Sequence, residues 1–292
     1  MIISNLKGGL GNQMFEYAAG YSLARDKGVE FKIDLGHFKN QSSFKNETPR
    51  EFQLDFFNVK YKVATEEEVL TVKKKYSRGL LPILKLDSYL TMSDIVKYPL
   101  LTSISSNVYM DAYFQSEKYF IKYEKEIRKM FTLKEEYITK DYQEVCNLIS
   151  KNINESVSVH IRRGDYITNT HANKWHGVLS ENYYYNALHY IQTETGIKKP
   201  HIYIFSDDSA WVKENLSFDG NITYISDDFN PAQSILLMSK CKHNIIANSS
   251  FSWWGAWLNE NEDKIVVAPD RWLAGSSRHS REVVPEDWVR CE

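Results

Sequence analysis

"VSVHIRRGDYI", residues 157–167, is the stretch on which the fold turns. From Val157 to Ile161 the residues alternate and β-branched side chains dominate, which predicts a strand over 156–161. That strand carries a histidine and ends on two adjacent arginines, a glycine and an aspartate. A surface ion pair between Arg163 and Asp165 would be worth under about 1 kcal/mol. The other reading is an anion site at the carboxyl end of a core strand.

On either side of this run the chain punctuates itself as an α/β protein. Downstream, the pattern predicts helices over 181–195, 208–215, 231–240 and 252–259, alternating with strands over 201–205, 222–225, 243–247 and 264–267. Upstream, a strand over 2–5, the loop "KGGLGNQ", a helix from Asn12 to Lys27 stopped by Gly28, and a strand in "VEFKIDL" open a first Rossmann-like unit. A helix over 65–78 begins with a Thr65–Glu68 capping box, helical stretches follow near 116–130 and 139–150, and residues 40–64 read as a long irregular connection. With 292 residues, two lobes are expected, 1–150 and 151–292.

In open α/β sheets, ligands bind beyond the carboxyl ends of the strands. Three loops fall at such ends. In the first, Gly9 and Gly11 with Asp34 echo half of a dinucleotide fingerprint, but its third glycine position is Met14; a nicotinamide enzyme and a plain tight turn are the alternatives there. In the second, one of Arg162 and Arg163 would meet a phosphate while the other braces the fold, with Asp165 as its partner. In the third, "NSSFSWWGAW" (248–257), Ser249, Ser250 and Ser252 stand at a predicted helix start, where N–H groups and the helix dipole favour phosphate. An ordinary serine cap followed by tryptophans in the core reads equally well. The pairs Asp207-Asp208 and Asp227-Asp228 each follow a strand and read as one capping and one solvated acid, with Mg²⁺ ligation as the alternative.

Lys plus Arg total 36 against 38 Asp plus Glu, a net charge of −2 that excludes a general nucleic-acid surface. The three cysteines, Cys146, Cys241 and Cys291, have no metal-site spacing, so buried thiols in a reducing compartment are expected and no metal site is assigned. There is no signal-like N-terminus and no run of apolar residues long enough to span a bilayer, which leads to the expectation of a cytoplasmic protein. The basic run "KKKYSR" (73–78) fits a helix C-terminus better than a membrane contact. Aromatics make up 14% of the chain, which suits carbohydrate stacking as well as core filling, so a non-catalytic glycan-binding protein is a further alternative.

Taken together, "GGLGNQMFEYA" (8–18), "HIRRGDY" (160–166) and "IIANSSFSWWGAWL" (245–258) resemble, in this order, the α-1,2-fucosyltransferases of glycosyltransferase family 11. Segments 112–120 and 176–178 echo the same family, so the resemblance covers essentially the whole chain. It implies a GT-B-like fold, two Rossmann-like lobes with a cleft between them, the first on the acceptor side and the second binding GDP-fucose. The implied reaction is a metal-independent, inverting transfer from GDP-β-L-fucose to the 2-hydroxyl of a terminal galactose, with no separate cofactor. GDP-fucose and a galactoside are the implied partners, and a lipid-linked acceptor would bring peripheral membrane contact. Arg162 would contact the pyrophosphate with His160 beside it, Arg163 and Asp165 would support the site, and Ser249, Ser250, Phe251 and Ser252 would bind phosphates. Gly9, Gly11, Asn12 and Gln13 would face fucose and acceptor. Asp165, His171 and His176 are candidate bases. The family's guanine-reading aspartate corresponds to Ser234, where this chain departs from the pattern.

Overall fold

The computed structural model describes residues 1–39, 48–74, 89–90, 107–164, 167, 177–273 and 282–292. The chain divides into two units, Met1–Thr132 and Leu133–Glu292. The expected boundary at 150 moves upstream because the helix Lys140–Lys151 belongs to the second unit.

In the first unit β1 (Ile2–Asn5), α1 (Leu10–Lys27), β2 (Phe31–Asp34), α2 (Glu66–Lys74), β3 (Tyr89–Leu90), β4 (Val108–Met110) and α3 (Glu124–Met130) follow in order. The four strands form a parallel sheet in the order β2-β1-β4-β3. Helix α1 starts at Gly9 without a side-chain cap, is buried along most of its length, and ends on Gly28 in the left-handed region (φ 62°), whose N–H closes on Ala24 and Arg25. The fingerprint's close helix–strand approach is made at Gly20 rather than at Met14. A Cβ on Gly20 would lie 2.5 Å from Phe31 Cε2 and 3.0 Å from Ser4 Cβ. The Thr65–Glu68 capping box forms in both directions. Lys73 near the end of α2 lies over the Tyr109 ring at 4.0 Å, and residues 75–78 of the basic run fall outside the described residues.

In the second unit α4 (Lys140–Lys151) and β5 (Ser156–Ile161) lead into α5 (Glu181–Thr195), β6 (His201–Ser206), α6 (Ser209–Asn215) and β7 (Asn221–Tyr224). Then come α7 (Pro231–Lys240), β8 (His243–Ile245), α8 (Ser250–Trp257), β9 (Val266–Pro269) and β10 (Val289–Cys291). All six strands are parallel, in the order β10-β9-β8-β5-β6-β7. Counted in order of appearance, this is the doubly wound 3-2-1-4-5-6 arrangement, with its switch point between β5 and β8. Helix α7 shows why its ends were readable: Asn230 and Gln233 form a capping box and Pro231 occupies the first turn.

The alternation in β5 sets the core. Val157, Val159 and Ile161 pack into one apolar cluster with Ile202, Ile204, Tyr183, Ala187 and Ile191. Each such buried aliphatic side chain contributes roughly 1.5–3 kcal/mol. Ser156, Ser158 and His160 alternate with them and belong to the other face, where Ser158 Oγ accepts a hydrogen bond from Asn244 of β8 at 2.7 Å.

Candidate active site

At the switch point of the second unit the ends of β5 and β8 bring two of the three loops together. His160, the penultimate residue of β5, is 4% exposed, and its ring lies 5.5 Å from that of Phe251 in the first turn of α8. Its Nδ1 is buried without a hydrogen-bond partner. Burial pushes its imidazole down to about 4; Asp207 pulls the other way and Arg162 adds to the depression. His160 is therefore neutral at physiological pH.

Arg162 pairs with Asp207 at 2.7 Å (Nη1 to Oδ2), and the Arg163 backbone N–H donates to Asp207 Oδ1 at 2.9 Å. Burial acts to raise the Asp207 carboxyl, but the Arg162 charge and the N–H groups of Arg163 and Gly164 outweigh it and hold the carboxyl below its ordinary range. Arg163 turns the other way. Its Nε lies 3.5 Å from Asp208 Oδ2, and its guanidinium carbon lies 3.3 Å from the centre of the Trp211 ring. Asp208 in turn caps α6 by accepting from the Trp211 N–H at 3.2 Å.

Arg163 is braced by Asp208 with Trp211, and Asp165, the partner expected from sequence, lies outside the described residues, as do His171 and His176. One expectation changes here. The pair Asp207-Asp208 does contain a helix cap, but Asp207 is engaged by Arg162 rather than solvated.

The serine loop keeps its place at a helix start. Ser249 is the cap of α8, accepting from the Phe251 N–H at 3.3 Å, while Trp253, Trp254 and Trp257 are buried. The reading of "NSSFSWW" as a serine cap with core tryptophans thus holds, and the segment stands at the carboxyl rim of the sheet. Ser252 is fully buried with its hydroxyl 3.4 Å from the carbonyls of Ala247 and Ser249, so it shapes the loop. Of the residues near the expected guanine position, Gln233 is spent on Asn230 and on the Tyr137 carbonyl, and Ser234 is half-buried on α7. A cavity of about 570 Å³ opens beyond β7, but among the described residues its lining carries Asp141, Glu144 and Asp228 and no basic side chain, which disfavours phosphate.

The glycine loop lies in the first unit, at the carboxyl end of β1 beside β4. Gly8 has a positive φ of 70°, and a Cβ on Gly9 would meet nothing within 4 Å, so the loop is open above its second glycine. Gly11 is buried in the first turn of α1. Asn12 accepts from Gln115 Nε2 at 2.8 Å. Gln13, fully buried, bonds the carbonyls of Gly8 and Glu51 and the N–H of Gln53, so it braces the loop from beneath. Beside the loop Lys7 pairs with Asp111 at 2.8 Å, and buried Glu16 accepts the Lys7 backbone N–H at 2.8 Å. Asp34, the expected ribose acid, accepts from the Tyr109 hydroxyl and the Gly36 N–H.

Among the described residues no three His, Cys, Asp or Glu side chains gather in a way that could hold a metal ion, and no helix is long and apolar enough to cross a membrane.

Known proteins carry the same framework. The model of "Glycosyl transferase family 11" matches residues 1–292. The chain belongs to glycosyl transferase family 11. The O-antigen biosynthesis glycosyltransferase WbnK of Escherichia coli is 36% identical to this family 11 chain, over 98% of the chain and 99% of WbnK. The α-1,2-colitosyltransferase of Escherichia coli is 34% identical over 100% of the chain and 99% of that protein. Galactoside α-(1,2)-fucosyltransferase 2 of Sus scrofa is 29% identical over a shorter span, 36% of this chain and 32% of the relative. Among solved structures, NodZ α-1,6-fucosyltransferase co-crystallized with GDP superposes with a TM-score of 0.51 at 14% identity, covering 87% of this chain and 91% of the other. That likeness concerns the fold, which is GT-B-like: two α/β units, each with a parallel sheet.

Proposed function

We propose that this family 11 chain transfers L-fucose from GDP-β-L-fucose to the 2-hydroxyl of a terminal galactose, inverting the anomeric centre to give an α-1,2-linked fucoside, without a metal ion. The observation that carries the reading is the carboxyl end of β5, where Arg162 follows neutral His160 and the His160 ring lies 5.5 Å from that of Phe251 in the first turn of α8.

A nucleoside diphosphate leaving group gains negative charge as the glycosidic bond breaks. Arg162 supplies a charged donor for it, and the first N–H groups of α8 supply a second, dipolar one. Both are set before the reaction, so they act on the transition state without reorganising. Asp207 and Asp208 are each engaged by an arginine, which supports leaving-group stabilisation by protein cations rather than by a metal held on this acid pair. Neutral His160 fits a place beside the phosphates better than that of a base. An oxocarbenium-like path asks only weak help from a base at the acceptor hydroxyl.

One finding favours a second donor: the α-1,2-colitosyltransferase matches this chain from end to end. Colitose is fucose without its 3-hydroxyl, so the diphosphate machinery would serve both. Purified protein assayed with GDP-fucose and with GDP-colitose over a panel of β-galactosides, with the linkage read by NMR, tests both readings. GDP release with an α-1,2-fucoside as product is expected. Preference for GDP-colitose would move the assignment to the second donor, and release from neither would overturn it. Activity abolished by EDTA and restored by Mg²⁺ would overturn metal independence alone.

A further inference from the structure

The last residues in register in the parallel β5–β6 ladder are Ile161 and Ser206. Continued by one residue, that parallel register sets Arg162 opposite Asp207, and by a second residue it sets Arg163 opposite Asp208. The contacts follow this register: Arg162 with Asp207 at 2.7 Å and Arg163 with Asp208 at 3.5 Å. Adjacent strands lie roughly 4.8 Å apart, so in-register side chains of opposite charge meet without either strand leaving its course. Successive residues point to opposite sides, which is why each tandem arginine has its own carboxylate instead of sharing one.

The two rungs differ in what else holds them. Arg163 keeps the Trp211 ring as a platform even without its acid. Asp207 also accepts from the backbone N–H of Arg163, and a Cβ on Gly164 would come within 2.7 Å of its Oδ2, so the "RRG" turn wraps this one carboxylate. The side chain of Asp207 is 26% exposed and that of Arg162 22%. We infer that Asp207 is a positioning residue for the transfer: it fixes the plane and reach of the Arg162 guanidinium and the course of the turn that carries it. The inference rests on the leaving-group role proposed for Arg162. A displacement of about 1 Å in such a group can cost on the order of 10²-fold in rate, so the position of Arg162 matters as well as its charge.

The test compares Asp207→Asn with Asp208→Asn in the full chain. Asparagine keeps the size of the side chain and an acceptor for the Arg163 N–H while removing the charge that holds Arg162. The expected result for Asp207→Asn is a kcat at least tenfold lower with the donor KM within threefold of wild type. For Asp208→Asn, where Trp211 still carries Arg163, kcat is expected to change less than threefold. An unchanged kcat in Asp207→Asn, or equal losses in the two variants, would overturn the positioning role. If Asp207→Asn does not fold, Asp207→Glu, which moves the charge by one methylene, decides in its place: a kcat at least fivefold lower at unchanged donor KM supports the role, and an unchanged kcat overturns it.

A readout without substrate separates this inference from the choice of donor. In ¹⁵N spectra the Arg162 Nε–H signal, assigned through Arg162→Lys, is expected to shift or broaden in Asp207→Asn while the Arg163 signal stays. An unmoved Arg162 signal counts against positioning even if the enzyme turns over. Wild type inactive on every donor, with the Arg162 signal moved as expected, would overturn the donor reading and leave the positioning intact.

Discussion

The rims of the two parallel sheets differ in what they offer a ligand. At the second unit's rim two arginines, two aspartates and a buried neutral histidine are packed around the ends of β5, β6 and α8. At the first unit's rim the bonds are mostly those of amides. Gln13 holds Gly8, Glu51 and Gln53, Gln115 holds Asn12, and Asn5 donates to Asp111 at 2.8 Å. Lys7 is engaged with Asp111, and the other acid beside the loop, Glu16, has its carboxyl raised well above the usual range, chiefly by burial. Two parallel sheets thus yield one rim built around strong cations and another built around backbone shape and neutral donors. The first chemistry suits a diphosphate and the second suits hydroxyls.

The comparison breaks most readily at Arg162. Arg162→Ala is expected to lower turnover by roughly 10²-fold or more, the scale for removing a preorganised donor to developing negative charge. Turnover measured with saturating acceptor checks this. A near-normal rate of GDP release would mean that the charged rim serves stability rather than transfer.

The first rim should instead respond to shape, and Gly20 offers a test in which two effects have opposite signs. Alanine in place of glycine inside a helix favours folding by up to about 1 kcal/mol. A Cβ at this site, however, would press into Phe31 and Ser4. Overpacking of this kind costs typically about 1–3 kcal/mol, so Gly20→Ala is expected to lower stability in urea denaturation. A stabilised variant would mean that α1 has room to move on its sheet, and that the glycine loop is held less tightly than Gln13 suggests.

Much of this contrast was legible in the sequence, and what escaped has physical reasons. The strand 156–161 and the helices 181–195 and 231–240 were readable to the residue because alternation, caps and Gly196 all agree at their ends. Val108–Met110 and Val289–Cys291 went unread as strands because three residues are too few to show a period. The place of Gln13 was missed because an amide in a glycine loop reads as a ligand contact until its three backbone partners are seen. The acids behind the arginines were missed because Asp207 lies 44 residues beyond Arg163. The signal was nevertheless present: two tandem pairs of opposite charge, each directly after one of two consecutive strands, fall in register as soon as those strands are neighbours.

Glu16 is the quiet end of the comparison, and its effect lies in pH dependence. Its Oε2 accepts the Lys7 N–H, Oε1 is buried without a partner, and burial raises the carboxyl well above the usual range, with the Lys7 N–H and charge pulling down and Asp111 pushing up. Below the ordinary carboxylate range the folded and unfolded chains both hold this proton, and Glu16 adds no slope. Above it the unfolded chain releases the proton while the folded chain keeps it, so the stabilising contribution of Glu16 declines as pH rises toward its folded value. Glu16→Gln keeps the acceptor for Lys7 and cannot ionise. It is expected to lie within about 1 kcal/mol of wild type at pH 4.5, the worth of one hydrogen bond, and to gain on wild type as the pH is raised to 8 in parallel urea titrations. A difference that stays flat, or turns against the variant, would show that Glu16 is ionised in the fold, and the first rim would then have a charged acid beneath its glycine loop.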